Sequence, residues 1–299
     1  MSVTDRANLA ALFGAAPPPP AETPSFAEQR ARMEQMVAFL PATADRYEDT
    51  PATVGGIAGE WVRARGARED AAILYLHGGG YCIGSPKTHR HLVGALSVES
   101  GLSAFVPDYR MGPENPFPAA VEDAVAAYKG LLDSGIAATH LAIAGDSAGG
   151  GLTFATLLAL RDRKIPLPAC AVGISPWVDL TASGDSMTAR AARDPIVQRA
   201  GLTAMANAYL GGADAKTPYA SPLFGDLAGL PPILLQVGTE ETLYDDTTRL
   251  KGRLEEAGVE VTAESWGGMI HVWHAFHPIL SEGRDAVVRA GAFIKRRIP

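Results

Sequence analysis

From about residue 47 the chain alternates short apolar runs of β character with longer stretches of helical periodicity, and few architectures accept that alternation. The β-type runs fall at residues 59–64, 71–76, 102–107, 140–144, 169–174, 232–237 and 259–266. Between and after them, helical patterns occupy residues 119–132, 149–163, 245–257 and 285–297. When strands alternate with helices, each helix returns the chain to the same end of the sheet, so the strands run mostly parallel and both sheet faces are covered. The pattern predicts an α/β chain with a mostly parallel central sheet flanked by helices.

Two regions depart from the alternation. Residues 181–227 carry no β-type run, only helical stretches at 189–193 and 201–209 rich in Ala and Met, which reads as an insertion. Near the start, Pro17 to Pro20 form a stiff spacer, because proline fixes φ and lacks a backbone donor. Beyond it, Ser25 and Glu28 form a capping box before Phe26, Met33, Met36, Val37 and Leu40, and Pro41 ends the resulting amphipathic helix. The reading is therefore an N-terminal segment 1–45, a main domain 46–299 and an insertion at 181–227. Segment and insertion together are expected to form a helical cap over the carboxyl ends of the strands, where open α/β sheets place their sites.

Composition excludes several partners. A net charge of −7 with no Lys/Arg cluster argues against nucleic acid and anionic membrane surfaces. No apolar run approaches the roughly 20 residues of a membrane-spanning helix. The stretch from Ala7 to Ala16 lacks the pattern of a secretory signal, so a cytoplasmic protein acting on a small molecule is expected. Cys82 and Cys170, the only two cysteines, suit buried free thiols rather than a disulfide framework or zinc site.

The strongest local feature is Gly145-Asp146-Ser147-Ala148-Gly149-Gly150, placed between an apolar run and a helix. A serine on a sharp strand-to-helix turn needs small neighbours, and the helix N-terminus behind it offers free N–H groups, that of Ala148 among them. Upstream, His77-Gly78-Gly79-Gly80-Tyr81 follows the run 72–76. Its glycine amides can approach a negative oxygen unobstructed, Gly79 and Gly80 foremost and Gly78 as a further candidate. His77 itself is read as holding that loop in shape.

A serine nucleophile needs a base, and in a turn of this kind the partners follow in the order acid, then histidine. Beyond Ser147 the only histidines are His271, His274 and His277. His271 follows the loop Gly267-Gly268-Met269-Ile270, while His274 and His277 suit a helix. No carboxylates accompany the three as metal ligands would, so neither metal nor cofactor is expected. The acid belongs just past the run 232–237. There Asp245 and Asp246 are explained as helix-opening residues, and Glu240 and Glu241 both remain.

Taken in order, HGGGY at His77, GDSAGG at Gly145 and GMIHVW at Gly268 resemble the bacterial hormone-sensitive lipase family of α/β-hydrolase esterases. Asp108-Tyr109-Arg110-Met111-Gly112-Pro113-Glu114-Asn115-Pro116-Phe117-Pro118-Ala119 is similar to that family's DYRLAPE-x-PFPA stretch, and Ser175-Pro176-Trp177-Val178-Asp179-Leu180 also matches. The resemblance runs roughly from Trp61 to the C-terminus. It selects Glu241 over Glu240, since Glu241-Thr242-Leu243 matches the family's acid position, where many members carry Asp.

The resemblance implies hydrolysis of short-chain carboxylic esters through Ser147, His271 and Glu241 by way of an acyl-enzyme, and pairing of two copies through an edge strand. Phe26, Met33, Met36, Tyr81, Trp177, Leu202, Met205 and Tyr209 are candidate pocket walls. Two rivals remain. The same machinery could cleave an amide such as an arylformamide. A hydrolase scaffold can also serve as a small-molecule receptor, as in plant gibberellin receptors, although those lack the histidine present here.

Overall fold

The computed structural model describes residues 24–37 and 46–299. Eight strands form one sheet in the order β1-β2-β4-β3-β5-β6-β7-β8. They are β1 (Tyr47–Val54), β2 (Ile57–Ala64), β3 (Arg68–Leu76), β4 (Leu102–Pro107), β5 (Leu141–Asp146), β6 (Cys170–Ile174), β7 (Ile233–Gly238) and β8 (Val261–Trp266). The first two and the β2/β4 pair are antiparallel, and every other neighbour is parallel. The mostly parallel sheet expected from the alternation is therefore present. Its central strands β4, β5, β6 and β7 are buried along their whole length, which is why they read as continuous apolar runs.

Eight α-helices accompany the sheet among the described residues: α1 (Phe26–Val37), α2 (Pro86–Ser100), α3 (Ala119–Asp133), α4 (Ala148–Asp162), α5 (Ser186–Ala189), α6 (Arg199–Leu210), α7 (Tyr244–Glu256) and α8 (Ser281–Arg297). Two apolar layers cover the two faces. Phe105, Phe154, Leu157 and Leu235 gather side chains of α3, α4, α6 and α7. Ile73, Tyr75, Val172 and Leu234 gather those of α2 and α8.

Two elements were not anticipated. Strand β1 carries Pro51 and mostly exposed side chains, so it has no apolar signature; as an edge strand it tolerates the missing donor. Helix α2 mixes His, Lys and Arg into its first turns, which masks its periodicity. Its ends are nonetheless marked, by a Ser85/Thr88 capping box, Pro86 in the first turn and Gly101 in the left-handed conformation. Several expected boundaries also move by a few residues: β8 starts at Val261, α8 begins a turn early at Ser281, and His140 belongs to a 3₁₀ turn before β5.

The Ser25/Glu28 capping box opens α1 as the sequence implied, with the Ser25 amide donating to Glu28 at 2.8 Å. The polyproline segment and Pro41 lie outside the described residues, as does the Met36 side chain. Residues 181–227 contain α5, α6 and a 3₁₀ turn at Pro222–Phe224 but no strand. Among the described residues no helix is long and apolar enough to cross a membrane.

Candidate active site

Ser147 sits between the end of β5 and the first residue of α4, with φ 53° and ψ −122°. A non-glycine residue there costs about 1–3 kcal/mol and persists only where its surroundings hold it. Three backbone bonds do so: Ser147 N donates to Ile174 O at 2.9 Å, and Ser147 O accepts from Trp177 N at 2.9 Å and Gly151 N at 3.0 Å. A Cβ on Gly149 would collide with the Leu76 carbonyl oxygen, so only glycine lets α4 start this close to β3. Ser147 itself is half-buried.

The glycine loop lies beside this turn. Gly78 N donates to Asp146 Oδ1 at 3.2 Å, so that amide is already engaged. The amides of Gly79 and Gly80, like that of Ala148 at the start of α4, find no backbone or side-chain acceptor among the described residues. His77 is fully buried, its Nδ1 is 2.8 Å from Gly78 O and its ring stacks on Tyr109. Burial lowers its pKa to about 3, which leaves it neutral and suits the shape-holding role read from its position.

Of the two glutamates left open by spacing, Glu241 meets a histidine. Its Oε2 lies 2.9 Å from His271 Nδ1, while Oε1 accepts from Gly238 N at 2.6 Å and from the Ser175 hydroxyl at 2.7 Å. Glu240 faces the insertion and pairs with Arg193 at 3.3 Å. Burial pushes the Glu241 carboxyl above its usual range against the pull of these bonds. Burial alone would lower the His271 imidazole, but the hydrogen bond and charge of Glu241 outweigh it and the net shift is upward.

Ser175 is a site residue that spacing gave no reason to single out. With φ 46°, its hydroxyl donates to Glu241 and accepts from Val272 N at 3.2 Å, joining the acid loop to the residue after His271. Asp194 is another: it is buried, and its Oδ2 accepts from the amide and hydroxyl of Thr242 at 2.9 and 3.1 Å, which ties the insertion to the residue after Glu241. The remaining histidines have other partners. His274 Nε2 is 2.9 Å from Gln236 Oε1, and His277 Nε2 is 3.2 Å from His91 O. Asp245 and Asp246 do open α7, and they also accept bonds from Ser186 N and from Val178 N and Asp179 N.

The expected pocket residues divide. Tyr81, Trp177 and Tyr209 are fully buried and pack on one another, with Tyr81 and Tyr209 stacked at 3.9 Å. Met205 of α6 covers the face of Gly80, where a Cβ would strike its sulfur, and Leu202 is buried one turn away. Phe26 and Met33 are half-buried on α1. That helix is fastened by Arg30, which donates from Nε to Cys82 O at 2.8 Å and from Nη2 to Gly112 O at 3.0 Å, and which pairs with Glu114 through both oxygens.

A serine on a strained strand-to-helix turn beside a glycine loop, with a buried carboxylate–imidazole pair carried by the loops after β7 and β8, defines the class of α/β hydrolases. Residues 73–275 match the family model described as alpha/beta hydrolase fold. The chain is 53% identical over 244 residues to an acetyl-hydrolase of Streptomyces hygroscopicus, covering 81% of each. It superposes on an esterase from the bacterial hormone-sensitive lipase family with a TM-score of 0.95 and 42% identity over 100% of both chains. On EstE5, in a crystal soaked with p-nitrophenyl butyrate, the score is 0.93 with 49% identity over 99% of each. The chain belongs to the bacterial hormone-sensitive lipase family of serine carboxylesterases.

Proposed function

We propose that the protein hydrolyses short-chain carboxylic esters through a Ser147–His271–Glu241 triad and a covalent acyl-enzyme. The observation that carries the reading is the Glu241–His271 bond, because it fixes a proton on Nδ1 and leaves Nε2 free to accept one. Ser147 Oγ attacks the ester carbonyl carbon as its proton passes to His271 Nε2. The tetrahedral oxyanion is held by the amides of Gly79, Gly80 and Ala148, each worth on the order of 3 kcal/mol in the transition state. Collapse expels the alcohol, which takes the proton from His271. Water, activated by the same imidazole, then releases the acid and restores Ser147.

Support for short acyl chains comes from relatives: the acetyl-hydrolase is named for a two-carbon acyl group, and the EstE5 crystal was soaked with a four-carbon ester. A panel of p-nitrophenyl esters from acetyl to palmitoyl tests the reading, using wild type, Ser147→Ala, Glu240→Gln and Glu241→Gln. Activity falls with chain length, is lost in Ser147→Ala and Glu241→Gln, and survives in Glu240→Gln. Hydrolysis unchanged in Ser147→Ala refutes the mechanism, and a flat or rising length profile refutes the substrate class.

A further inference from the structure

Among the buried polar groups that the triad and the oxyanion amides leave unused, one cluster lies directly beneath the glycine loop. Asp146, the residue before Ser147, is buried with Oδ1 accepting from Tyr75 OH at 2.8 Å and Gly78 N at 3.2 Å. Its Oδ2 is 3.4 Å from Nε2 of His89, which is also buried. On the other side of that ring, Nδ1 lies 2.8 Å from Thr88 Oγ1 and 3.3 Å from Ser85 O at the start of α2. A hydroxyl that donates to Ser85 O can accept from Nδ1–H, so both ring nitrogens are placed to carry protons.

This arrangement raises an electrostatic question that the proposed reaction must answer. A carboxylate one residue from the nucleophile, bonded to the loop that binds the oxyanion, would oppose the negative charge that develops there, and low local dielectric makes that opposition strong. We propose that Asp146 and His89 form a charge-compensated support under the oxyanion loop: Asp146 occupies the Gly78 amide, so that those of Gly79 and Gly80 are presented to substrate, and protonated His89 cancels the carboxylate's charge. The proposal rests on the oxyanion assignment above. Both are positioning residues, acting through the loop and its field.

The surroundings of His89 favour its charged form. Facing it are Asp146 at the end of β5, Tyr75 in β3 with ring centroids 6.5 Å apart, and His77 at 5.4 Å, neutral by burial. On its own helix are Thr88 and His91, the latter lowered to about 4 by burial. Asp146 also acts at longer range on His271 and His274. Burial opposes charge on His89, but the hydrogen bond and charge of Asp146 outweigh it and raise the imidazole; the carboxyl is lowered in turn. The support is therefore charge-neutral until His89 loses its proton, which the pull of Asp146 shifts upward from the ordinary histidine value.

The chemistry of asparagine supplies a sharp test. In Asp146→Asn the amide oxygen can still accept from Tyr75 and Gly78, while its NH₂ meets the neutral Nε2 of His89, so the loop is held without any charge. His89→Gln instead strands an uncompensated carboxylate. Steady-state kcat and KM on p-nitrophenyl acetate are measured from about pH 6 to about pH 10, spanning the histidine titration, for wild type, both single variants, the double variant and Ser147→Ala. His89→Gln lowers kcat about 30-fold with KM within about twofold, and adding Asp146→Asn brings kcat back to within about threefold of wild type. Wild-type kcat has an alkaline limb that Asp146→Asn lacks.

A merely structural role would make the double variant no better than the single one. That result, or wild-type kcat in His89→Gln, overturns the support. If His89→Gln does not fold, the alkaline limb decides: a limb shared by wild type and Asp146→Asn overturns the proposal. Ser147→Ala separates the two levels of inference. Activity retained there removes the mechanism and the support with it, whereas an inactive Ser147→Ala beside an unperturbed His89→Gln removes the support alone.

Discussion

Replacing Glu241 with glutamine changes one atom, and the structure dictates which way the new amide must lie. Oε1 receives Gly238 N and the Ser175 hydroxyl, both donors and both buried. The amide oxygen has to stay in that position, because turning the NH₂ toward them would leave two buried donors unpaired at roughly 1–3 kcal/mol each. The NH₂ therefore faces His271 Nδ1, now required to accept. The imidazole proton moves to Nε2, the nitrogen that must take the Ser147 proton, and the base is lost while the fold is kept. An inverted tautomer of this kind costs about 10⁴-fold in kcat, equivalent to roughly 5.5 kcal/mol of barrier. Stopped-flow release of p-nitrophenol from the acetate ester reads the acylation step directly. Glu240→Gln, which touches Arg193 instead, is the control and stays within about twofold of wild type. An acylation rate for Glu241→Gln within tenfold of wild type would refute the assignment of the acid.

Three further outcomes follow from the same contacts. Ser175→Ala removes a donor from Glu241 and strands the amide of Val272, so denaturant unfolding should show a loss of about 2–4 kcal/mol; unchanged stability contradicts the linking role. Asp246 is raised by burial to about 8 from an ordinary 3.8, so between those values the folded chain holds a proton that the unfolded chain lacks. Stability therefore falls as pH rises across that window, by up to about 1.4 kcal/mol per pH unit, and Asp246→Asn should flatten this slope in melting curves; an unaltered slope rules it out. Arg30→Ala releases α1 from Cys82 O, Gly112 O and Glu114 and should raise KM roughly tenfold, about 1.4 kcal/mol, with kcat little altered, whereas an unchanged KM places α1 outside substrate binding.

What could be read from the sequence follows the range of the forces involved. Ser147 and its glycines are legible because a strained turn imposes its demands on adjacent residues, and the parallel sheet is legible because burial on both faces leaves continuous apolar runs. Choosing between Glu240 and Glu241 from the residues alone was out of reach, since neighbours on one turn differ only in which way each side chain faces, and that depends on Ser175 and His271 from two other segments. The Asp146–His89 pair is hidden for the same reason. Helix α2 escaped the sequence pattern because His89 and His91 are buried where apolar residues would be expected. Tyr81, Trp177 and Tyr209 show the converse: aromatic residues near a site are as readily spent on packing as on contact with substrate.

Buried carboxylates supply the common thread of the site. Taking such a group out of water is costly, and amide donors, most of them from distant segments, offset part of that cost here. Asp146 reaches Gly78 on the glycine loop, Glu241 reaches Gly238, Asp194 reaches Thr242, and Asp246 reaches Val178 and Asp179. An amide is fixed to the backbone, so the bonds of Asp146, Asp194 and Asp246 each locate one segment against another without the conformational freedom of a lysine or arginine side chain, while that of Glu241 to Gly238 holds its own turn. The nucleophile turn, glycine loop, acid loop and insertion are thereby positioned by bonds that lie beyond the reach of salt. The exposed Arg30–Glu114 pair that fastens α1 lies within it. Ionic strength should consequently act on how firmly α1 is fastened while leaving the alignment of Ser147, His271 and Glu241 intact.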